Sequence, residues 1–322
     1  MKILYLGSGE FGIDSLNLLN ESRHILELIV TQPARPAGRG RKSRPTPVAA
    51  WAEENSINYI EVRNVNDASV IEEISNCPAD LMVVIAFGQI IGEKLIELPP
   101  KGAINVHASL LPKYRGAAPI NWAIINGESE TGVSIITVVE KMDAGDILAQ
   151  AGLQIGALET AGELHNRLAK LAAPLLLETI DRIQEGNAQY LAQDDSKATL
   201  APKLKKSDGY LDFNNTATAL EDRIRGLWPW PGAAAIYQSK KTGKSEHVTI
   251  SKARAVEQKS EKENKPGYFD ERLNVVCGLG AIQVLELKPA GGSLMQFKSF
   301  VNGRGTQPGD CLVSVKQKVN FE

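Results

Sequence analysis

The chain has 322 residues, 43% hydrophobic and 23% charged, which suggests two or three domains with ordinary cores and excludes a disordered chain or a disulfide-stapled miniprotein. No apolar run reaches the ~20 residues that span a bilayer, Met1–Gly7 reads as a strand rather than a secretion signal, and Cys77, Cys277 and Cys311 are too few and too scattered for a disulfide framework or a thiolate metal site, in keeping with a reducing, cytoplasmic compartment. The formal net charge of −2 divides unevenly: residues 1–200 hold 17 basic and 25 acidic side chains, net −8, and residues 201–322 hold 19 and 13, net +6. That asymmetry suggests two domains with different partners, although on counts alone Lys-rich loops that merely keep the second half soluble are the preferred reading.

The first half alternates strand and helix patterns. Lys2–Leu6 reads as a strand, followed by a helix in which Phe11, Ile13, Leu16, Leu18 and Leu19 fall near helical spacing. Strands are predicted at Ile25–Thr31, Asn58–Ile60, Leu81–Ala86, Ala103–His107, Thr131–Val139 and Ile147–Ile155. Helices are predicted at Pro47–Asn55, Asp67–Asn76, Pro119–Asn126 and Thr160–Glu185. Leu81–Ala86 is apolar on both faces, as a buried parallel strand requires. The alternation predicts a doubly wound, mostly parallel α/β domain over residues 1–189.

The texture then changes. Residues 190–207 have few large apolar side chains and read as a linker. Beyond them come a helix over Thr216–Leu227, a Trp-Pro-Trp-Pro-Gly turn at 228–232, and short strands at Ala233–Tyr237, Val248–Val256, Leu273–Cys277 and Ala281–Leu287. Short, evenly spaced strands predict a small β-barrel or sandwich over 208–322.

Two loops raise ligand questions. Gly7-Ser8-Gly9-Glu10-Phe11-Gly12 follows a strand and opens a helix, which is the dinucleotide-binding pattern and brings a nicotinamide dehydrogenase into view. The second strand, however, ends Val30-Thr31-Gln32-Pro33 with no acid for the ribose hydroxyls, so a plain strand-to-helix turn is the better reading. Gln32–Pro47 holds Arg35, Arg39, Arg41, Lys42 and Arg44 and no acid. Such a loop is a solvated charge run or a phosphate-binding arm. Its place at the carboxyl end of a parallel strand favours the second.

Ile104–Pro112 carries the chemistry. Strand alternation points Asn105 and His107 to one face. An amide donor beside an imidazole suits an oxyanion site, although local backbone could equally satisfy both. Asn105-Val106-His107-Ala108-Ser109-Leu110-Leu111-Pro112, with Arg115-Gly116, Thr131-Gly132-Val133 and Met142-Asp143-Ala144-Gly145-Asp146, resembles the signature of the 10-formyltetrahydrofolate-dependent formyltransferases. The resemblance implies a Rossmann-like catalytic domain followed by an OB-like barrel. It makes Asn105, His107 and Asp143 catalytic, and Ser109, Leu110, Leu111 and Pro112 part of the folate site.

The segment Thr31–Gly40, together with Arg223–Leu227, Pro229–Gly232 and Phe300–Gly303, resembles members of that family that act on tRNA. The implied partners are 10-formyltetrahydrofolate as formyl donor and initiator methionyl-tRNA as acceptor, with Arg35, Arg39, Arg41 and Lys42 contacting the RNA. The product would prime translation initiation. A monomer without metal is expected. A member acting on a small amine, such as an amino-sugar nucleotide, is the alternative; it would not need the basic loop. Three places depart from the family's habit: Gly9 and Gly12 stand where Pro and Ala are usual, Trp228 where Asn is usual, and Gly291-Gly292-Ser293 where Gly-Lys-Lys is typical.

In the implied reaction the acceptor amine, with an ordinary pKa near ~7.7–8.0, attacks the formyl carbon. Asn105 and a protonated His107 would stabilise the oxyanion, and Asp143 would help relay the amine's proton toward the leaving N10.

Overall fold

The computed structural model describes residues 1–37, 42–257 and 265–315, which form two compact units. The first holds Met1–Pro119, Glu130–Leu153 and His165–Ala201; the second holds Ile120–Ser129, Gln154–Leu164 and the chain from Pro202 onward.

Up to residue 185 the elements are β1 (Lys2–Gly7), α1 (Ile13–Asn20), β2 (Ile25–Thr31), β3 (Arg35–Ala37), β4 (Lys42–Arg44), α2 (Pro47–Glu54), β5 (Tyr59–Glu61), α3 (Ala68–Ser75), β6 (Leu81–Ile85), α4 (Glu93–Ile96), β7 (Ala103–His107), α5 (Pro119–Ile125), β8 (Glu130–Thr137), β9 (Ile147–Gln154) and α6 (Ala161–Glu185). The central sheet has the order β5-β2-β1-β6-β7-β8-β9. It is parallel from β5 to β7, and β8 runs antiparallel to β7. β1 and β6 are fully buried at Ile3–Leu6 and Leu81–Ile85, so their apolar runs serve both faces of the sheet. The strand order reverses between β1 and β6, and α/β sheets open their ligand crevice at such a point. The loops after β1, β2 and β6 meet there: Gln32 N donates to Ser8 Oγ at 3.0 Å and Gln32 Nε2 to Phe87 O at 2.6 Å.

The sequence pattern missed the β3–β4 hairpin. Its prolines and glycines argued for irregular backbone, yet Arg35 pairs with Arg44 and Pro36 with Ser43 on two very short strands. Pro36 is tolerated because the ladder is an isolated ribbon whose strands are both edges.

The second unit adds α7 (Ala217–Gly226), β10 (Ala233–Gln238), β11 (Ser245–Val256), β12 (Val275–Val276), β13 (Ala281–Pro289), β14 (Met295–Gln296), α8 (Phe297–Arg304) and β15 (Cys311–Ser314). Thr216 caps α7 by accepting the Ala219 amide. The antiparallel sheet runs β12-β13-β11-β10-β15, with β14 on β13. Residues 267–269 nearly close it into a barrel: Leu312 N donates to Gly267 O, Phe269 N to Asp310 O, and Val276 N to Tyr268 O. These bonds join the edge strands β15 and β12 and remove the exposed edges. The OB-like barrel encloses Leu220 and Ile224 of α7 with Tyr237, Ile250, Ile282 and Leu287. Phe269, Phe297 and Phe300 stack at its end, 5.8 and 6.3 Å between successive centroids. The sequence reading missed α8 and β15.

Candidate active site

β7 delivers Asn105 and His107 to the carboxyl end of the sheet. Asn105 sits between Val84 of β6 and Ile136 of β8, half-buried, and among the described residues its amide has no hydrogen-bond partner. An amide left open at a strand end is available to a ligand. His107 is 5% exposed. Its Nε2 lies 2.9 Å from the carbonyl oxygen of Tyr114. A carbonyl can only accept, so that nitrogen carries a hydrogen, and in the neutral ring Nδ1 is the accepting nitrogen. Nδ1 faces Asp143 Oδ1 at 3.5 Å. The three residues that the sequence assigned to catalysis thus divide into a contacting His107–Asp143 pair and a free amide two positions back on the same strand.

Asp143 is held in an unusual conformation, with φ +52°. Its Oδ2 accepts the Gly116 amide at 2.8 Å. The turn that carries it packs hard against β8, where Asp146 N bonds Thr137 Oγ1 at 2.9 Å. A β-carbon at Gly145 would fall 1.8 Å from Thr137 O, so only glycine fits there. Tyr114, which supplies the acceptor for His107, also has a positive φ of +63°. Left-handed backbone at non-glycine residues on both sides of an imidazole is the strain that functional sites hold.

Ser109–Pro112 forms the wall beside this cluster. The Ser109 hydroxyl is buried and donates to Lys113 O at 2.7 Å, and Leu111 is buried against Ile136 and Ile147. Leu110 and Pro112 are half-buried and present apolar surface. The loop's shape depends on Ser134, which sequence reasoning missed. Its hydroxyl donates to Ser109 O at 2.6 Å and accepts from Leu111 N at 3.0 Å and Gln150 Nε2 at 2.7 Å. Ser134 lies on β8 opposite His107. A lone polar residue inside the apolar run Val133–Ile136 was the available signal.

The basic loop stands at the end of β2. Arg35 faces Arg44 across the hairpin, and both line a cleft of about 510 Å³ with Gln32, Thr46 and Glu10. Arg35 donates to Gln32 Oε1, and among the described residues neither guanidinium has an ion-pair partner. Like charges placed opposite on a ribbon repel unless an anion sits between them. Arg39, Arg41 and the side chain of Lys42 lie outside the described residues.

The glycine loop does not have the form of a nucleotide cradle. Gly7 and Gly12 both close on the buried side chain of Tyr5, where β-carbons would approach ring carbon Cε1 to 2.6 Å and the hydroxyl oxygen to 1.9 Å. The cysteines are free, and burial pushes the Cys277 thiol up to about 12 and Cys311 to about 11, as expected of packing residues.

Residues 1–180 match the family described as formyl transferase, and residues 203–305 match the formyl transferase C-terminal domain. A methionyl-tRNA formyltransferase of Citrifermentans bemidjiense is 40% identical over 316 residues, covering 97% of this chain and 96% of its own. One of Symbiobacterium thermophilum is 40% identical over 314 residues, covering 96% and 94%. In fold the chain is similar to an N-formyltransferase from Helicobacter canadensis solved with folinic acid and dTDP-3-aminofucose, with a TM-score of 0.62, 17% identity, and coverage of 88% of this chain and 99% of that one. With both of its parts matched and relatives 40% identical along nearly its whole length, the chain belongs to the formyl transferase family.

Proposed function

We propose that the chain transfers the formyl group of 10-formyltetrahydrofolate to the α-amino group of initiator methionyl-tRNA, making N-formylmethionyl-tRNA for translation initiation. The observation that carries this is the near-full-length likeness to enzymes named methionyl-tRNA formyltransferase. The His107–Asp143 contact at the carboxyl end of β7, with Asn105 two positions back on the same strand, supports the assignment of the chemistry to those residues. Formyl transfer to a small amine, such as an amino-sugar nucleotide, is a weaker reading, because the likenesses to sugar formyltransferases lie at 17–19% identity and speak to fold alone.

In this reading the amine nitrogen attacks the formyl carbon, a C–N bond forms, and the carbonyl electron pair moves to oxygen. The open Asn105 amide donates to that oxyanion without changing charge. His107, its Nε2 hydrogen committed to Tyr114 O, works through Nδ1. There the Asp143 carboxylate faces the ring and relays the amine's proton toward N10. The C–N10 bond then breaks, and N10 leaves with the proton. Leu110 and Pro112 give the folate an apolar wall, and Ser109 and Leu111 fix that wall in place. The sugar-phosphate backbone of the acceptor end meets Arg35, Arg39, Arg41 and Lys42, where the facing Arg35 and Arg44 welcome phosphate. Residues 1–189 are the catalytic domain, 190–207 a connector whose part up to Ala201 packs with the first unit, and 208–322 the tRNA-holding barrel of a cytoplasmic monomer.

The test offers 10-formyltetrahydrofolate with charged initiator methionyl-tRNA, charged elongator methionyl-tRNA, or a UDP-amino sugar. Formylation of the initiator tRNA alone is expected. Turnover of the amino sugar with none of the initiator tRNA overturns the proposal.

A further inference from the structure

Residues 190–201 hold no α-helix and read in sequence as connector, yet in the structure they are fastened to the first unit along their length. Leu191 and Ile147 exchange backbone bonds at 2.8 and 2.9 Å. Arg115 N donates to Thr199 O at 2.9 Å, and Ala201 N returns to Arg115 O at 2.7 Å. Asp195 binds Arg115 Nη2 at 2.8 Å and Lys141 Nζ at 2.6 Å.

At the centre of this strap is Gln193. Its Nε2 donates to the carbonyl oxygens of Asp143 at 2.8 Å and Gly145 at 2.7 Å. Its Oε1 accepts from Arg115 Nε at 3.1 Å and Nη2 at 2.7 Å. Both amide hydrogens and both oxygen lone pairs are used, a pattern that no other side chain reproduces. Glutamate keeps the Arg115 contacts but turns an oxygen toward two carbonyl oxygens.

We propose that Gln193 is a positioning residue for Asp143. It grips the Asp143 main chain directly. Through Arg115 it also braces the two residues on either side, Tyr114 and Gly116, whose carbonyl and amide hold His107 Nε2 and Asp143 Oδ2. One amide therefore ties down both members of the 3.5 Å His107–Asp143 contact and stabilises the left-handed backbone that Asp143 adopts. The inference rests on the reading above that Asp143 serves the transfer.

The experiment compares Gln193→Ala, Gln193→Glu, Asp143→Ala and the Gln193→Ala/Asp143→Ala pair in the full chain, by steady-state and single-turnover formylation of initiator methionyl-tRNA. Gln193→Ala is expected to lower kcat ten- to a hundred-fold with both KM values within two-fold of wild type. Gln193→Glu, which preserves shape and the Arg115 grip, is expected to fail in the same way and carries the test if the alanine variant does not fold. In the Asp143→Ala background the Gln193 change should cost less than a further two-fold, because there is no carboxylate left to position. Undiminished kcat in both Gln193 variants, or full additivity in the double variant, overturns the inference while leaving Asp143 its role. Full turnover by Asp143→Ala alone overturns the assignment of Asp143 and this inference with it.

Discussion

A β-carbon built on Gly12 lies 1.9 Å from the hydroxyl oxygen of Tyr5 and 3.3 Å from the ring carbon that bears it. Gly7 and Gly12 are thus explained by one buried tyrosine side chain, whereas Gly9 faces Ala86 Cβ at 3.3 Å instead. That tyrosine has a cost of its own, since the Tyr5 hydroxyl is wholly buried without a partner among the described residues and burial drives its pKa upward. Tyr5→Phe is expected to leave stability unchanged or raise it by about 1–2 kcal/mol, the scale of an unsatisfied buried hydroxyl. Gly12→Ala should destabilise by about 1–3 kcal/mol through overpacking. Combined, the two should recover most of the loss, because removing the hydroxyl leaves the new methyl its nearest neighbour at 3.3 Å. Urea midpoints of the four proteins check this. Equal destabilisation by Gly12→Ala in both backgrounds would show that the clash lies elsewhere.

Asn105 and His107 share a strand but differ in what they do for the fold. The Asn105 amide has no partner within the described protein, so Asn105→Ala should leave the melting temperature within about a degree while lowering kcat by about 10²–10³, the usual loss for an oxyanion donor. His107 is buried and bonded to Tyr114 O, so His107→Ala should lose both turnover and stability. Melting curves beside kcat separate the two. An Asn105→Ala protein with wild-type kcat would remove the amide from the reaction.

How far this site could be read from sequence follows from the period of a strand. Alternation placed Asn105 and His107 on one face without further information, and the all-apolar Leu81–Ile85 run declared a buried parallel strand. The same kind of local reading misled at Gly7–Gly12. There the spacing suited a nucleotide loop, but the reason was a tyrosine in the preceding strand. Gln193, Asp195 and Thr199 left no trace, because a strap held by single polar contacts has no hydrophobic period. Barrel closure through residues 267–269 likewise depends on pairing β15 to β12 across some 35 residues of chain, which local propensity cannot register. Phe297 and Phe300, three apart, did carry a helical signal for α8, but the window was too short and too polar around them to stand out.

The hairpin that sets Arg35 opposite Arg44 predicts a salt-dependent contact. Arg35→Ala/Arg44→Ala should weaken tRNA binding and reduce the slope of log affinity against log salt by about one to two, with the KM for the formyl donor unchanged. Filter binding at several salt concentrations measures it. A slope equal to wild type would place these two cations away from the phosphates.

His24 predicts the acid limb of stability. Its side chain is 1% exposed, and Nε2 lies 3.0 Å from Asp181 Oδ1. Burial, and then the Met1 ammonium, hold its pKa below the ordinary 6.5 against the opposing pull of Asp181. In the unfolded chain the imidazole takes a proton near 6.5, whereas the folded chain resists until lower pH. The associated stability is therefore complete above about 6.5 and declines as pH falls below it. Asp181 is also held below its ordinary 3.8: its own desolvation, which raises it, is outweighed by the hydrogen bonds and charges of Arg23 and His24, so its loss is added only as pH falls below about 3.8. His24→Gln keeps a group able to bond Asp181 but cannot titrate. Urea midpoints at pH 8, 7, 6 and 5 should fall for the wild type below about 6.5 and stay flatter for the variant. Parallel pH profiles for the two proteins would assign the acid sensitivity to other groups.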